Sequence, residues 1–305
     1  MIEAKSLSKD FGQFRAVDDL SFTVEPGQVL GFLGPNGAGK STTMKMLTGF
    51  LAPSAGTALI RGHDIVTDSL AARRSIGYLP EGAPSYGEMT VLQFLQFVAR
   101  ARGLAAAERS PAVERVVGQL QLNSVLHQPI ETLSKGFRRR VGLAQAIMHD
   151  PPILILDEPT DGLDPNQKHE VRTLIQQMSS DKIIVISTHI LEEVEAVCNR
   201  VMIIASGKLL ADDTPAGLIA RSRYHDAVTM VVDDAEKVAS VLSELPQVAR
   251  AELNEGELTV FPAGKGLFEA VSSTIAEQDW RVHQLRLEAG RFDEVFREIT
   301  QGARA

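Results

Sequence analysis

From its start to about residue 215 the chain alternates short, almost purely apolar runs with longer segments in which apolar residues recur every three or four positions. The runs "QVLGFL", "SIGYL", "PILILD", "KIIVIS" and "RVMIIA" have the length and branched side chains of strands. Near-continuous apolar character predicts burial on both faces, as in the parallel sheet of an α/β protein. Between Glu81 and Thr132 the period changes: Val91, Phe94, Leu95 and Val98 fall at i, i+3, i+4 and i+7, and the Ala/Arg-rich "ARARGLAAAERS" follows. The segment at about 82–132 is therefore expected to be a helical insertion.

After Arg221 the pattern shifts again. "AVTMVV" predicts a strand, Val238, Val241, Leu242 and Leu245 mark one face of a helix, and "RAELNEGELTVF" carries Asn254 to Gly256 as a hairpin turn. A second helix runs through Leu267, Val271 and Ile275, "WRVHQLRL" alternates as a strand, and Phe292, Val295, Phe296 and Ile299 mark a closing helix. Strand, helix, hairpin, helix, strand is the ferredoxin-like order. The expected organisation is an α/β domain at 1–220 and a small α+β domain at 221–305, without internal repeats.

Composition narrows the possibilities. A chain of 305 residues exceeds one average domain, and 44% hydrophobic residues suffice for ordinary cores. The net charge of −8 argues against a broad nucleic-acid-binding face, while leaving a nucleotide possible, because one loop sets the local field there. The single cysteine, Cys198, excludes an internal disulfide and lies in an apolar helical run, where core packing is expected. "MIEAKSLSKDFG" lacks the apolar region of a secretory signal, and no run of 18 or more apolar residues occurs, so a soluble cytosolic protein is expected.

The stretch "GFLGPNGAGKST", Gly31 to Thr42, holds four glycines in twelve residues. Each costs roughly 0.5–1 kcal/mol relative to alanine in regular structure, so the cluster needs a conformational reason. Gly34, Gly39, Lys40 and Ser41 fit G-x-x-x-x-G-K-[ST], the loop whose backbone N–H groups surround nucleotide phosphates while the lysine reaches their outer oxygens. An accidental match at these four constrained positions arises in roughly one sequence in a hundred of this length. A strand pattern precedes the loop and a helix pattern follows it, the context that phosphate binding at a helix N-terminus requires.

"PPILILDEPTDGLDP" ends an apolar strand in Asp157 and Glu158. Alone, such acids serve equally as a helix N-cap or a solvated turn. With the loop about 120 residues upstream, Asp157 can hold Mg2+ together with Ser41, and Glu158 can orient and deprotonate a water against the γ-phosphate. "IIVISTHI" ends another strand in His189, near the expected γ-phosphate. "ETLSKGFRRRVGLAQAI" places Ser134 and Gly136 just before a helix; physics alone reads an N-cap serine and a basic helix face.

Taken together, the first 215 or so residues resemble the ATPase subunit of an ATP-binding cassette (ABC) transporter, of the type found in multidrug, polysaccharide and gliding-type exporters. Phe11 sits where that family stacks an aromatic on adenine. Gly34, Pro35, Asn36, Gly37, Ala38, Gly39, Lys40, Ser41 and Thr42 match its Walker A loop, Ser134 to Phe137 its signature, Asp157 and Glu158 its Walker B strand end, Asp164 its D-loop and His189 its switch histidine. The resemblance implies a P-loop NTPase cassette with a parallel-sheet core, an antiparallel β subdomain and a helical insertion. It implies ATP and Mg2+ as cofactors, with Lys40, Glu158 and His189 catalytic and Ser41, Asp157 and Glu81 around the metal.

It further implies that two cassettes pair head to tail, so that Ser134 and Gly136 of one close over the γ-phosphate held by the other. A membrane permease on a separate chain would complete the transporter, leaving this subunit peripheral on the cytoplasmic face of the cell membrane. Two departures are visible. Glu81 stands where the family usually has glutamine, and the signature reads "LSKGF", in which Lys135 adds a cation and Phe137 removes an amide. The alternative class, soluble cassettes of translation or DNA repair, usually carries two cassettes or a long coiled coil, and neither pattern is present.

Overall fold

A computed structural model describes residues 1–302, which divide into one unit built on Met1–Pro215 and a second on Ala216–Gln301. The first unit runs β1 (Ile2–Phe11), β2 (Phe14–Val24), β3 (Val29–Leu33), α1 (Lys40–Leu47), β4 (Ala55–Ile60), β5 (His63–Asp64), α2 (Ser69–Arg74) and β6 (Ile76–Leu79). It continues through α3 (Val91–Ala101), α4 (Ala106–Gln119), α5 (Lys135–Ile147), β7 (Ile153–Asp157), α6 (Pro165–Met178), β8 (Ile183–Thr188), α7 (Leu191–Val197), β9 (Arg200–Ala205) and β10 (Lys208–Asp213).

The five apolar runs of the sequence become β3, β6, β7, β8 and β9, the parallel strands of a six-stranded sheet ordered β10-β9-β3-β8-β7-β6. β3, β7 and β8 are buried along their whole length, which is why they carry no alternation. β10 closes one edge antiparallel to β9. A second sheet, antiparallel and ordered β2-β1-β4-β5, completes the cassette architecture. The core packs Leu7, Leu20 and Phe22 of that sheet with Leu30 and Phe32 of β3 and with Met44 and Leu47 of α1, and Phe22 meets Phe32 edge to face at 5.2 Å. Burying each such side chain contributes about 1.5–3 kcal/mol.

The helical insertion opens at Thr90, which accepts from the Gln93 N–H while Gln93 reaches back to the Thr90 N–H, a capping box that starts α3. "ARARGLAAAERS" is not one continuous helix. Gly103, at φ +78, ends α3 with Leu104 N–H donating to Ala99 O at 3.1 Å, and α4 begins afresh at Ala106.

A short helix, α8 (Pro215–Ile219), is followed by β11 (Val228–Val232), α9 (Ala235–Leu242), β12 (Val248–Asn254), β13 (Glu257–Pro262), α10 (Leu267–Glu277), β14 (Val282–Leu287) and α11 (Phe292–Gly302). The order β12-β13-β11-β14, antiparallel throughout, is the ferredoxin-like arrangement. Asn254 pairs with Glu257, so the hairpin turns on Glu255 and Gly256, both at positive φ (+50 and +87). α9 stops at Leu242, short of Leu245, because Leu245 precedes Pro246 and is steered out of helical geometry.

Candidate nucleotide site

The carboxyl ends of β3, β7 and β6 and the start of α1 converge on one cleft of about 340 Å3, lined among others by Phe11, Phe14, Lys40, Ser41, Glu81 and Glu158. The Gly-rich loop joins β3 to α1, and two of its glycines are required by space. A Cβ on Gly34 would stand 2.2 Å from Ile204 O, and one on Gly39, at φ +101, would stand 2.5 Å from Ala16 O. Gly39 is the N-cap of α1 and caps it with no side chain, so the first amides of the helix face the cleft without a competing acceptor.

Lys40 is buried and folds back on the loop, its Nζ donating to Gly34 O at 2.7 Å and Pro35 O at 3.2 Å. Burial pulls its ammonium down from the ordinary lysine range, against the opposing pull of Glu158, Asp157 and Glu81. Asp157 is fully buried at the end of β7. Its Oδ1 accepts from Ser41 Oγ at 3.2 Å and from Ser187 Oγ, while its Oδ2 has no partner. An unpartnered carboxylate oxygen buried beside a hydroxyl is the donor set a hard cation would complete.

Glu158 follows in the left-handed region at φ +51, its N–H held by Ser187 O at 3.0 Å. Nδ1 of His189 lies 3.0 and 3.1 Å from the two Glu158 carboxylate oxygens. An ionised carboxylate only accepts, so the ring proton belongs on Nδ1 whenever Glu158 is charged. Burial pushes the Glu158 carboxyl up, Asp157 adds to the rise, and His189 and Lys40 hold it back.

Phe11, Lys40, Ser41, Glu81 and Glu158 thus share one cleft, with Asp157 and His189 bonded to members of it. The signature and D-loop residues do not line it. Ser134 caps α5 by accepting from Phe137 N–H at 3.3 Å, Asp164 caps α6 by accepting from Gln167 N–H at 3.0 Å, and a Cβ on Gly136 would meet the Gln167 side chain at 2.4 Å.

Three contributors were not read from the sequence. Phe14 pairs with Phe11 across the β1–β2 hairpin and doubles the exposed aromatic surface at the cleft. Glu193, buried in α7, accepts from Thr160 Oγ1 and from Thr188 Oγ1 at 2.8 Å, joining the loop after Glu158 to the strand end before His189. Arg139, buried in α5, donates to backbone at the ends of β6 and β7. The aromatic pair could have been found by expecting a hairpin at Gly12; the two buried charges are single residues whose partners Pro80, Glu158 and Thr160 lie far along the chain, Thr188 alone being close to Glu193.

A Gly-rich loop between strand and helix, a lysine folded into it and a carboxylate ending the strand next but one in the sheet define a P-loop nucleotide-binding protein. The ABC transporter family profile matches residues 17–161. A probable multidrug ABC transporter ATP-binding protein, YbhF of Escherichia coli, is 40% identical over 223 residues, 73% of this chain and 38% of that protein, so the chain spans well under half of that relative. An uncharacterized ABC transporter ATP-binding protein, YhcH of Bacillus subtilis, is 32% identical over 98% of this chain and 96% of its own length. Among solved structures, an ATP-binding subunit of an ABC transporter superposes with a TM-score of 0.67 at 31% identity, covering 72% of this chain and 91% of that one. A dimeric ATP-binding cassette in a post-hydrolysis state with ADP and Pi shares the fold, with a TM-score of 0.65 at 21% identity over 70% of this chain and 99% of that one. The chain belongs to the ABC transporter family, as one of its ATP-binding proteins.

Proposed function

We propose that this chain hydrolyses ATP to power export through a separate membrane permease. The observation that carries the reading is the placement of the Glu158 carboxyl, held by His189 Nδ1 at 3.0 Å, in the cleft that holds Lys40 and the start of α1. ATP phosphates would lie on the α1 amides, with Lys40 leaving its loop carbonyls for their outer oxygens and Phe11 and Phe14 supplying aromatic faces for the base. Asp157 Oδ2 and Ser41 Oγ, with Glu81 nearby, fit Mg2+, which when bound would neutralise charge on the phosphate oxygens. Among the described residues no group of three or more His, Cys, Asp or Glu is placed for a metal, so hydroxyl, phosphate and water oxygens would complete the shell. Glu158 would then orient and deprotonate the attacking water.

Ser134 and Asp164 are exposed, and with the buried Gly136 they lie outside that cleft, which is the arrangement expected if they serve the cleft of a second cassette. Among the described residues no helix is long and apolar enough to cross a membrane, so the transport path would belong to another chain, with this subunit at its cytoplasmic face. The curated relatives bear transporter names, and nothing in them favours a translation or repair cassette. Replacing Glu158 by glutamine tests the reading: MgATP turnover should vanish while ATP binding persists, because the phosphate contacts are untouched. Parent-level turnover in that variant would refute the assignment.

A further inference from the structure

Arg139 is a buried cation with no carboxylate within ion-pair distance among the described residues, 5% exposed on the first turns of α5. Its guanidinium forks between two main-chain carbonyls, Nη1 donating to Pro80 O at 3.3 Å and Nη2 to Glu158 O. Pro80 follows the last residue of β6 and Glu158 the last residue of β7, and these strands are parallel neighbours with Leu79 opposite Leu156. One fork therefore ties together the two strand ends that carry Glu81 and Glu158 into the cleft.

Neither carbonyl needs this bond for its own satisfaction. Pro80 O already accepts from Ala83 N–H at 3.1 Å, and Glu158 O from Asp161 N–H at 3.2 Å. Burial opposes the Arg139 charge, while the carboxylates of Asp161, Asp157, Glu158 and Glu81 favour it without any of them pairing with it at ion-pair distance, so its charge is not held by one dedicated partner. What it does supply is geometry. Glu158 sits at φ +51, a region that L-residues occupy only when their surroundings hold them there, and Arg139 grips the carbonyl of that same residue. The opposite end of the link is α5, whose N-cap is the exposed Ser134.

We infer that Arg139 is a positioning residue: it holds the Glu158 and Glu81 strand ends in register and ties their placement to the Ser134 end of α5. The inference rests on the role proposed for Glu158. Because Arg139 bonds to backbone behind the cleft and does not line it, its removal should misplace Glu158 without loosening ATP.

The test uses the full chain. In Arg139→Met, MgATP turnover should fall roughly ten- to hundred-fold, the loss expected when a reacting group is misplaced on the ångström scale, while KM stays within about two-fold. Affinity for a fluorescent ATP analogue, compared in the Glu158→Gln background, should be unchanged, and the variant should keep a cooperative melting transition. Arg139→Lys keeps the charge and reaches one carbonyl at most, so it should fold and turn over ATP at an intermediate rate; it carries the test if the methionine variant is not recovered. Parent-level turnover in both variants overturns the inference, and so does a joint loss of turnover, ATP affinity and melting temperature, which marks a residue needed only for folding. A parent chain that never hydrolyses MgATP refutes the proposed function itself, a result distinct from either.

Discussion

Glu158 and His189 form a pair whose behaviour with pH follows from their surroundings. Burial raises the Glu158 carboxyl, and the hydrogen bond from His189 is the largest opposing influence. A general base acts ionised, so turnover is lost as pH falls through the folded-state value. Removing His189 removes the opposition, raises that value further and moves the acid limb of the kcat profile to higher pH. His189→Ala should show this shift when kcat is measured across the acid range; an unmoved limb, or one displaced to lower pH, would mean that the histidine does not govern the carboxylate. At this scale the P-loop was readable because its glycines are needed locally: Gly39→Ala places a Cβ 2.5 Å from Ala16 O at φ +101. Phe14 was within reach through the hairpin at Gly12, but Arg139 and Glu193 were not readable, since nothing in their neighbours along the chain announces partners such as Pro80 or Thr160.

Among the elements, legibility tracked burial. Strands buried on both faces have one composition along their length, and all five were visible as apolar runs. In β1 bulges interrupt the alternation, with register shifts between Ala4 and Leu7 and again between Leu7 and Lys9, whereas β2 alternates buried and exposed from Leu20 to Val24 and was legible there. The link made by Glu193 is likewise a property of packed elements. Its carboxylate is the acceptor for two hydroxyls that are themselves buried, Thr160 after β7 and Thr188 at the end of β8. Glu193→Ala would leave both without an acceptor and should cost about 1–3 kcal/mol, read as a lower urea midpoint, whereas Glu193→Gln, which keeps one acceptor oxygen, should lose less. An alanine variant with the parent midpoint would show that the two threonines find other partners.

At the scale of the whole molecule, the P-loop cleft and the Ser134 surface occur on one chain without meeting in one cleft. Sequence order could not reveal that separation, because the motifs follow one another along the chain whether they converge or not. If two copies pair head to tail, each site combines the P-loop of one chain with the signature of the other. Ser134→Arg and Lys40→Ala should then each abolish turnover alone, and mixing them should restore it. A mixed dimer joins an intact Lys40 from the first variant with an intact Ser134 from the second at one of its two sites. With random pairing half the dimers are mixed and half of their sites are competent, so an equal mixture should recover about a quarter of the parent rate. If each chain built its site from its own residues, no pairing of these variants could contain a competent site, and the mixture would stay as inactive as its parts.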